Sequence, residues 1–130
     1  GYGMVLKTAD GGFNWNALSV PYGGYFKSVF FPDNNDGRVI VSGFKGMILE
    51  TYDGGINWNK NFKDKKVEYL EAAGGKNDSV FVVGFNIILF SSDKGGTWEY
   101  NKNEYAFTDI VRHNNSYFLS SDAGGIFKIY

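Results

Sequence analysis

Short apolar runs alternate with small polar clusters from one end of the chain to the other. Runs rich in Val, Ile, Phe and Tyr, such as Tyr25 to Phe31, Arg38 to Gly43 and Val80 to Gly84, are separated by Gly, Asn and Asp. That is the signature of strands and tight turns, and no segment calls for a helix. Strands are expected at Val5 to Thr8, Asn14 to Leu18, Tyr25 to Phe31, Arg38 to Gly43, Met47 to Thr51, Asn57 to Phe62 and Val67 to Ala73. Further strands follow at Val80 to Gly84, Ile87 to Ser91, Thr97 to Asn101, Phe107 to Arg112, Tyr117 to Ser120 and Ile126 to Tyr130. The stretches at 39–41 and 80–83 are continuously apolar, so these strands are expected to be covered on both faces. Gly-Gly pairs beginning at 11, 23, 54, 74, 95 and 124 are read as turns.

The pattern repeats. Thr8-Ala-Asp10-Gly-Gly12-Phe-Asn14-Trp15, Thr51-Tyr-Asp53-Gly-Gly55-Ile-Asn57-Trp58 and Ser91-Ser-Asp93-Lys-Gly95-Gly-Thr97-Trp98 share one form, with Asp spacings of 43 and 40 residues. The flanks repeat as well, Val39 to Phe44 before the second copy and Val80 to Phe85 before the third, and a one-residue deletion near Gly46 aligns them. Ser120-Ser-Asp122-Ala-Gly124 mimics a copy, but aligning Gly125-Ile-Phe-Lys with Gly46-Met-Ile-Leu makes it a hairpin turn before a third strand. Four short antiparallel strands every 40 or so residues describe the blade of a β-propeller, in which sheets pack face to face.

Each copy resembles the Asp-box, or BNR repeat, and Ser91 to Trp98 matches its Ser-x-Asp-x-Gly-x-Thr-Trp form at every specified position. With Gly43-Phe-Lys-Gly-Met-Ile-Leu-Glu-Thr-x-Asp-Gly-Gly-x-Asn-Trp58, the chain is most similar to the photosystem II stability/assembly-factor-like propellers. The expected fold is therefore all-β, about three four-stranded blades of a larger, six- to eight-bladed propeller. Residues 1–22 are read as the back half of a blade, 23–63 and 64–103 as blades, and 104–130 as a partial blade. The resemblance implies a non-enzymatic scaffold that binds a polypeptide, or meets the remaining blades of its own propeller, in an exported location such as periplasm, cell surface, lumen or secreted space. It also leaves open a glycoside-processing enzyme whose catalytic residues lie outside this segment, so a glycan partner stays in view.

Composition narrows the classes further. The 43% hydrophobic and 18% aromatic content suits a folded core and not a disordered chain. A net charge of −1 provides no field to draw the chain to nucleic acid. With no cysteine, disulfides and thiolate metal sites are excluded. The longest apolar stretch, Val80 to Phe90, is broken by Gly84 and Asn86 and falls well short of the roughly 20 residues of a membrane helix, so no direct membrane insertion is expected.

The acid, hydroxyl and indole of each box look catalytic, yet they recur once per blade, whereas an active site occurs once per protein. Thr8, Asp10, Gly12 and Trp15, then Thr51, Asp53, Gly55 and Trp58, then Ser91, Asp93, Gly95, Thr97 and Trp98 are expected to hold turns, with each carboxylate accepting turn amides. No catalytic residue, metal ligand or cofactor site is assigned. His113 alone cannot support a triad and is read as a turn residue. Asp33 to Gly37 has a trace of a calcium loop but lacks its late Glu and is read as a hairpin turn. Lys60, Lys63, Lys65 and Lys66 form the one basic cluster, a solvated loop or a dock for an acidic peptide. Innermost strands line a propeller's channel, so Lys27-Ser28, Glu68-Tyr69 and Thr108-Asp109 are aligned there as candidate binding positions, with Arg112. Glu68, Glu71 and Asp109 are the carboxylates that a glycosidase reading would use.

Overall fold

Within each sheet, strands adjacent in sequence pair antiparallel, and the sheets stack on one another. The computed structural model describes residues 3–32, 39–43, 46–64, 66–67 and 70–129. The strands are β1 (Val5–Lys7), β2 (Asn16–Leu18), β3 (Phe26–Phe30), β4 (Val39–Gly43), β5 (Met47–Thr51), β6 (Asn59–Lys63), β7 (Leu70–Lys76), β8 (Ser79–Ser91), β9 (Glu99–His113), β10 (Ser116–Ser121) and β11 (Ile126–Ile129). β1 and β2 form a two-stranded unit, β3 to β6 a four-stranded meander, and β7 to β11 a five-stranded array.

Two of these strands each combine two of the expected ones. The rings of Phe81 and Phe90 lie 4.6 Å apart, nearly stacked. An extended strand would hold them about 30 Å apart, so β8 doubles back between them. The reversal falls at Asn86, left-handed at φ 59°. In β9, residues 99–102 pair with the returning half of β8, and residues from Phe107 onward pair with β10. Asn103 marks the crossing, its side chain accepting from the Tyr105 amide.

The one-residue difference between the repeats lies in these hairpin tips. β4 and β5 pair from Gly43 to Met47 around a tip that includes Gly46, at φ 58°, whereas β8 reverses at Asn86. The segment Ser120 to Gly124 holds a hairpin turn as expected: Ser120 and Ser121 end β10, and Asp122 to Gly125 join it to β11, with Gly124 at φ 78°.

Three apolar clusters alternate with the sheets. Met47, Leu49 and Trp58 pack with Val5 and Leu18. Ile48 points the other way, to a cluster with Val80, Val82 and Leu89. Val83, one residue on from Val82, points away again, to Phe107, Ile110 and Leu119. β5 and the first half of β8 are thus covered on both faces, which explains the unbroken apolar run at 80–83; in the 39–41 run, Ile40 faces the cluster of Val80 and Val82. Burying these faces against one another is the main stabilising term.

One strand differs from expectation. β7 spans Leu70–Lys76 and not 67–73, and Gly74 and Gly75 lie inside it, opposite Phe81 and Val80. Neither is a turn residue. A side chain on Gly74 would press within 3.2 Å of Ile110, and one on Gly75 would strike the Ser79 carbonyl. Close approach, not chain reversal, is what these glycines provide. The turn itself comes two residues later, at Asn77, with φ 55°.

Candidate functional site

The three boxes fold alike. In the middle copy the Thr51 hydroxyl donates to Asp53 at 2.7 Å and accepts from the Gly55 amide at 3.0 Å. The Asp53 carboxylate then accepts from the Ile56 amide, the Asn57 amide and the Asn57 side chain at 3.0, 2.9 and 2.8 Å. Asp10 takes Thr8, the Asn14 amide and the Asn14 side chain in the same way. Asp93 takes Ser91, the Thr97 amide and the Thr97 hydroxyl. These donors, the amide first, the side chain at the same position next and the Thr or Ser hydroxyl after it, hold all three carboxyls at about 2, below the ordinary 3.8. Such carboxylates are fixed anions whose acceptor capacity is taken up inside the turn, ill suited to proton transfer near neutral pH.

The tryptophans have unequal surroundings. Trp58 is 7% exposed, with its indole donating to the Gly55 carbonyl at 3.1 Å, and the box seats on Leu18 of β2. Trp98 packs edge-on to Phe62 of β6 at 5.9 Å. Each of these two boxes therefore rests on the last strand of the preceding sheet. Trp15 makes the same indole bond, to Gly12, yet is 58% exposed.

The innermost strands share a feature that periodicity did not show. β3, β7 and β9 each carry a β-bulge, and the extra residues are Lys27, Glu71 and Thr108. The extra residue lets Leu70 and Ala73 face the same cluster, which a regular strand would put on opposite sides. The residue matching Lys27 is therefore Glu71, and not Glu68 as the sequence alignment had it. Glu68 and Tyr69 lie outside the described residues, as do Lys65 and the loop Asp33 to Gly37.

Lys27 and Glu71 meet where neighbouring sheets converge, while Thr108 and Asp109 bond within their own strand pair. The Lys27 ammonium lies 3.4 Å from Glu71, and the Ala73 amide donates to the Ser28 hydroxyl at 3.1 Å. Thr108 is 3.0 Å from the Ser120 hydroxyl, and Asp109 accepts from the Ile110 amide at 2.8 Å. Arg112 lies further along the same strand, opposite Tyr117. This hub edge presents a cation, an anion and a neutral hydroxyl at equivalent backbone positions. His113 is exposed at the end of β9, before a turn with Asn114 at φ 52°. Among the described residues no cluster of His, Asp and Glu is arranged to hold a metal ion.

A second feature escaped the sequence reading. A cleft of about 490 Å³ lies between the link at Asp64, Lys66 and Val67, the β8 hairpin tip at Phe85 to Ile87, and Tyr100 and Lys102 on β9. The Tyr100 hydroxyl donates to Asp64 at 3.3 Å, and burial followed by the Asp64 charge raises its pKa, so it stays protonated. Only the basic cluster at 60–66 hinted at this place, because its other wall comes from residues distant in sequence.

The chain resembles YCF48 from Cyanidioschyzon merolae at 20% identity and a TM-score of 0.71, over 85% of this chain and 38% of that one. A structure described as YCF48 bound to D1 peptide aligns at 20% identity and a TM-score of 0.74, over 88% and 40%. A GH74 enzyme from Niastella koreensis aligns at 15% identity and a TM-score of 0.71, over 97% and 20%. At such identities the likeness is one of fold, and this chain spans well under half the length of each of those proteins. No curated protein matches it by sequence. The family model for the photosynthesis system II assembly factor YCF48 matches residues 7–108, and the chain belongs to that family of BNR propellers.

Proposed function

We propose that this chain is a non-enzymatic scaffold that binds a polypeptide at its hub edge, through Lys27, Glu71, Thr108, Asp109 and Arg112. The observation that carries the reading is the contrast between two sets of repeated positions. The boxes repeat the same carboxylate-centred bonds inside their own turns, whereas the bulged positions change charge from sheet to sheet on an equivalent backbone. Variation on a constant frame is how a repeat protein makes one specific surface. A YCF48 bound to D1 peptide supports a polypeptide as the ligand class. The reading includes a larger propeller of six to eight blades, of which this chain supplies about three, and an exported location.

Binding of the D1 peptide to the full-length protein, followed by fluorescence anisotropy, tests it. Lys27→Glu and Arg112→Glu are expected to weaken binding about tenfold or more through charge reversal. Unchanged affinity in both variants would remove the hub from the reading.

The likeness to the GH74 enzyme motivates a second reading, glycoside processing, which requires two carboxylates free to act as acid and base. Glu71 is engaged by Lys27, and Asp109 by the Ile110 amide, so the scaffold is preferred. Release of reducing ends from xyloglucan, lost on Glu71→Gln or Asp109→Asn, would reverse that preference.

A further inference from the structure

The cleft beside Asp64 is built from two sheets and is separate from the hub. Its floor is apolar, from buried Val67 and Ile87. Two aromatic side chains stand at its rim, Phe85 with 59% and Tyr100 with 49% of their surface exposed. A largely exposed aromatic at a hairpin tip is a common form of docking side chain. Two lysines, Lys66 and Lys102, flank them, and neither has an ion-pair partner among the described residues. Among the described residues the only acid in the lining is Asp64, and it is already engaged: one oxygen takes the Lys66 amide at 2.8 Å and the other the Tyr100 hydroxyl. Lys63, at the end of β6, adds a further exposed cation just before the link. The walls are also held in place, since the Asp64 amide donates to the Gly46 carbonyl and the Val67 amide to the Asp64 carbonyl. A side chain on Gly46 would come within 2.7 Å of Asp64, so the hairpin tip and the link are packed backbone to backbone.

We infer that this cleft is a second docking site, for an acidic polypeptide segment that carries an aromatic or large apolar side chain. The apolar side chain would lie on Val67 and Ile87 between Phe85 and Tyr100, and carboxylates on either side of it would meet Lys66 and Lys102. Charge complementarity selects the acidic segment, and the aromatic rim selects a peptide over a bare polyanion. The inference rests on the polypeptide-binding reading but uses none of the hub residues, so the two can fail separately.

The test uses the full-length protein and a fluorescein-labelled dodecapeptide of glutamates around one central phenylalanine, with anisotropy as readout. Control peptides replace the phenylalanine by glycine, or the glutamates by lysine. Reversing both cations, Lys66→Glu with Lys102→Glu, is expected to weaken binding about tenfold or more, and the effect should shrink at high salt. Phe85→Ala is expected to weaken it about tenfold and to erase the preference for phenylalanine over glycine. Lys27→Glu and Arg112→Glu should leave this peptide's affinity unchanged. Lys27, Lys66, Phe85 and Lys102 are exposed and Arg112 is half-buried, and equal melting temperatures would show that the variants fold. Wild-type affinity in the double-lysine variant, or equal binding of the glycine peptide, overturns the inference. So does lysine-dependent binding to phosphatidylglycerol vesicles in place of the peptide, which would assign the cleft to a lipid surface. If the cleft variants are silent while D1 peptide binding still depends on the hub, the cleft alone is wrong; if neither peptide binds, the polypeptide reading falls too.

Discussion

Asp53 accepts hydrogen bonds from four donors between Thr51 and Asn57, and Asp10 and Asp93 repeat most of that set. Ionisation is what these bonds reward, because a protonated carboxyl loses part of its acceptor strength. The folded carboxyls titrate at about 2 and the unfolded ones at 3.8, so their contribution is complete above about pH 4 and disappears as the pH falls through 2. Urea midpoints measured from pH 5 to pH 2 should therefore decline most steeply below pH 4. Asp53→Asn should lower the midpoint at pH 7 and remove that box's share of the decline. A flat profile in the parent protein would contradict the role given to the boxes.

At the level of the element, what matters is how a box meets the preceding strand. Gly55 has φ 96°, and a methyl group there would run into Leu18. Gly12 holds the corresponding place in the first box at φ 97°, with nothing closer than 3.8 Å. Both positions charge an L-residue for left-handed backbone, about 1–2 kcal/mol, but only Gly55→Ala also overpacks, at about 1–3 kcal/mol more. Gly55→Ala should thus destabilise more than Gly12→Ala. Adding Leu18→Ala should recover part of the Gly55→Ala loss and none of the Gly12→Ala loss, a coupling that a double-mutant cycle in denaturant would measure. Additive behaviour at 18 and 55 would place the box elsewhere.

The whole molecule leaves its first and last sheets uncovered. Leu6, Trp15, Val29 and Phe31 line an apolar hollow of about 470 Å³ at one end, and Val111 and Ile126 are exposed at the other. Open faces and edges of this kind promote association. As a separate 130-residue polypeptide, the chain is expected to sediment as a concentration-dependent oligomer at micromolar levels. Leu6→Lys with Ile126→Lys should shift it toward monomer. A monomer for the unmodified polypeptide at all concentrations would show that these faces are too small to drive pairing.

Strand content, the box motif and the 40-residue period were legible in the residues because each is local: a turn needs its Asp, its glycines and its Trp within eight positions, and a strand shows its burial in its own apolar run. The family followed from those same residues. Less local features were missed. Gly74 and Gly75 carry a turn's composition, but their place is set by Ile110 and Ser79, which approach only after the sheets stack. Glu71, three positions on from Glu68, is the counterpart of Lys27 because register is set by pairing with β8, which leaves no mark in the sequence of β7 itself. The cleft was invisible except for its lysines, since Asp64 and Tyr100 are 36 residues apart. The sequence by itself determined the repeating unit and its turns, through short-range hydrogen bonding and alternation. Tertiary structure decided which side chains share the hub, which tryptophans are covered and where a cleft opens, because those depend on how one sheet packs on the next.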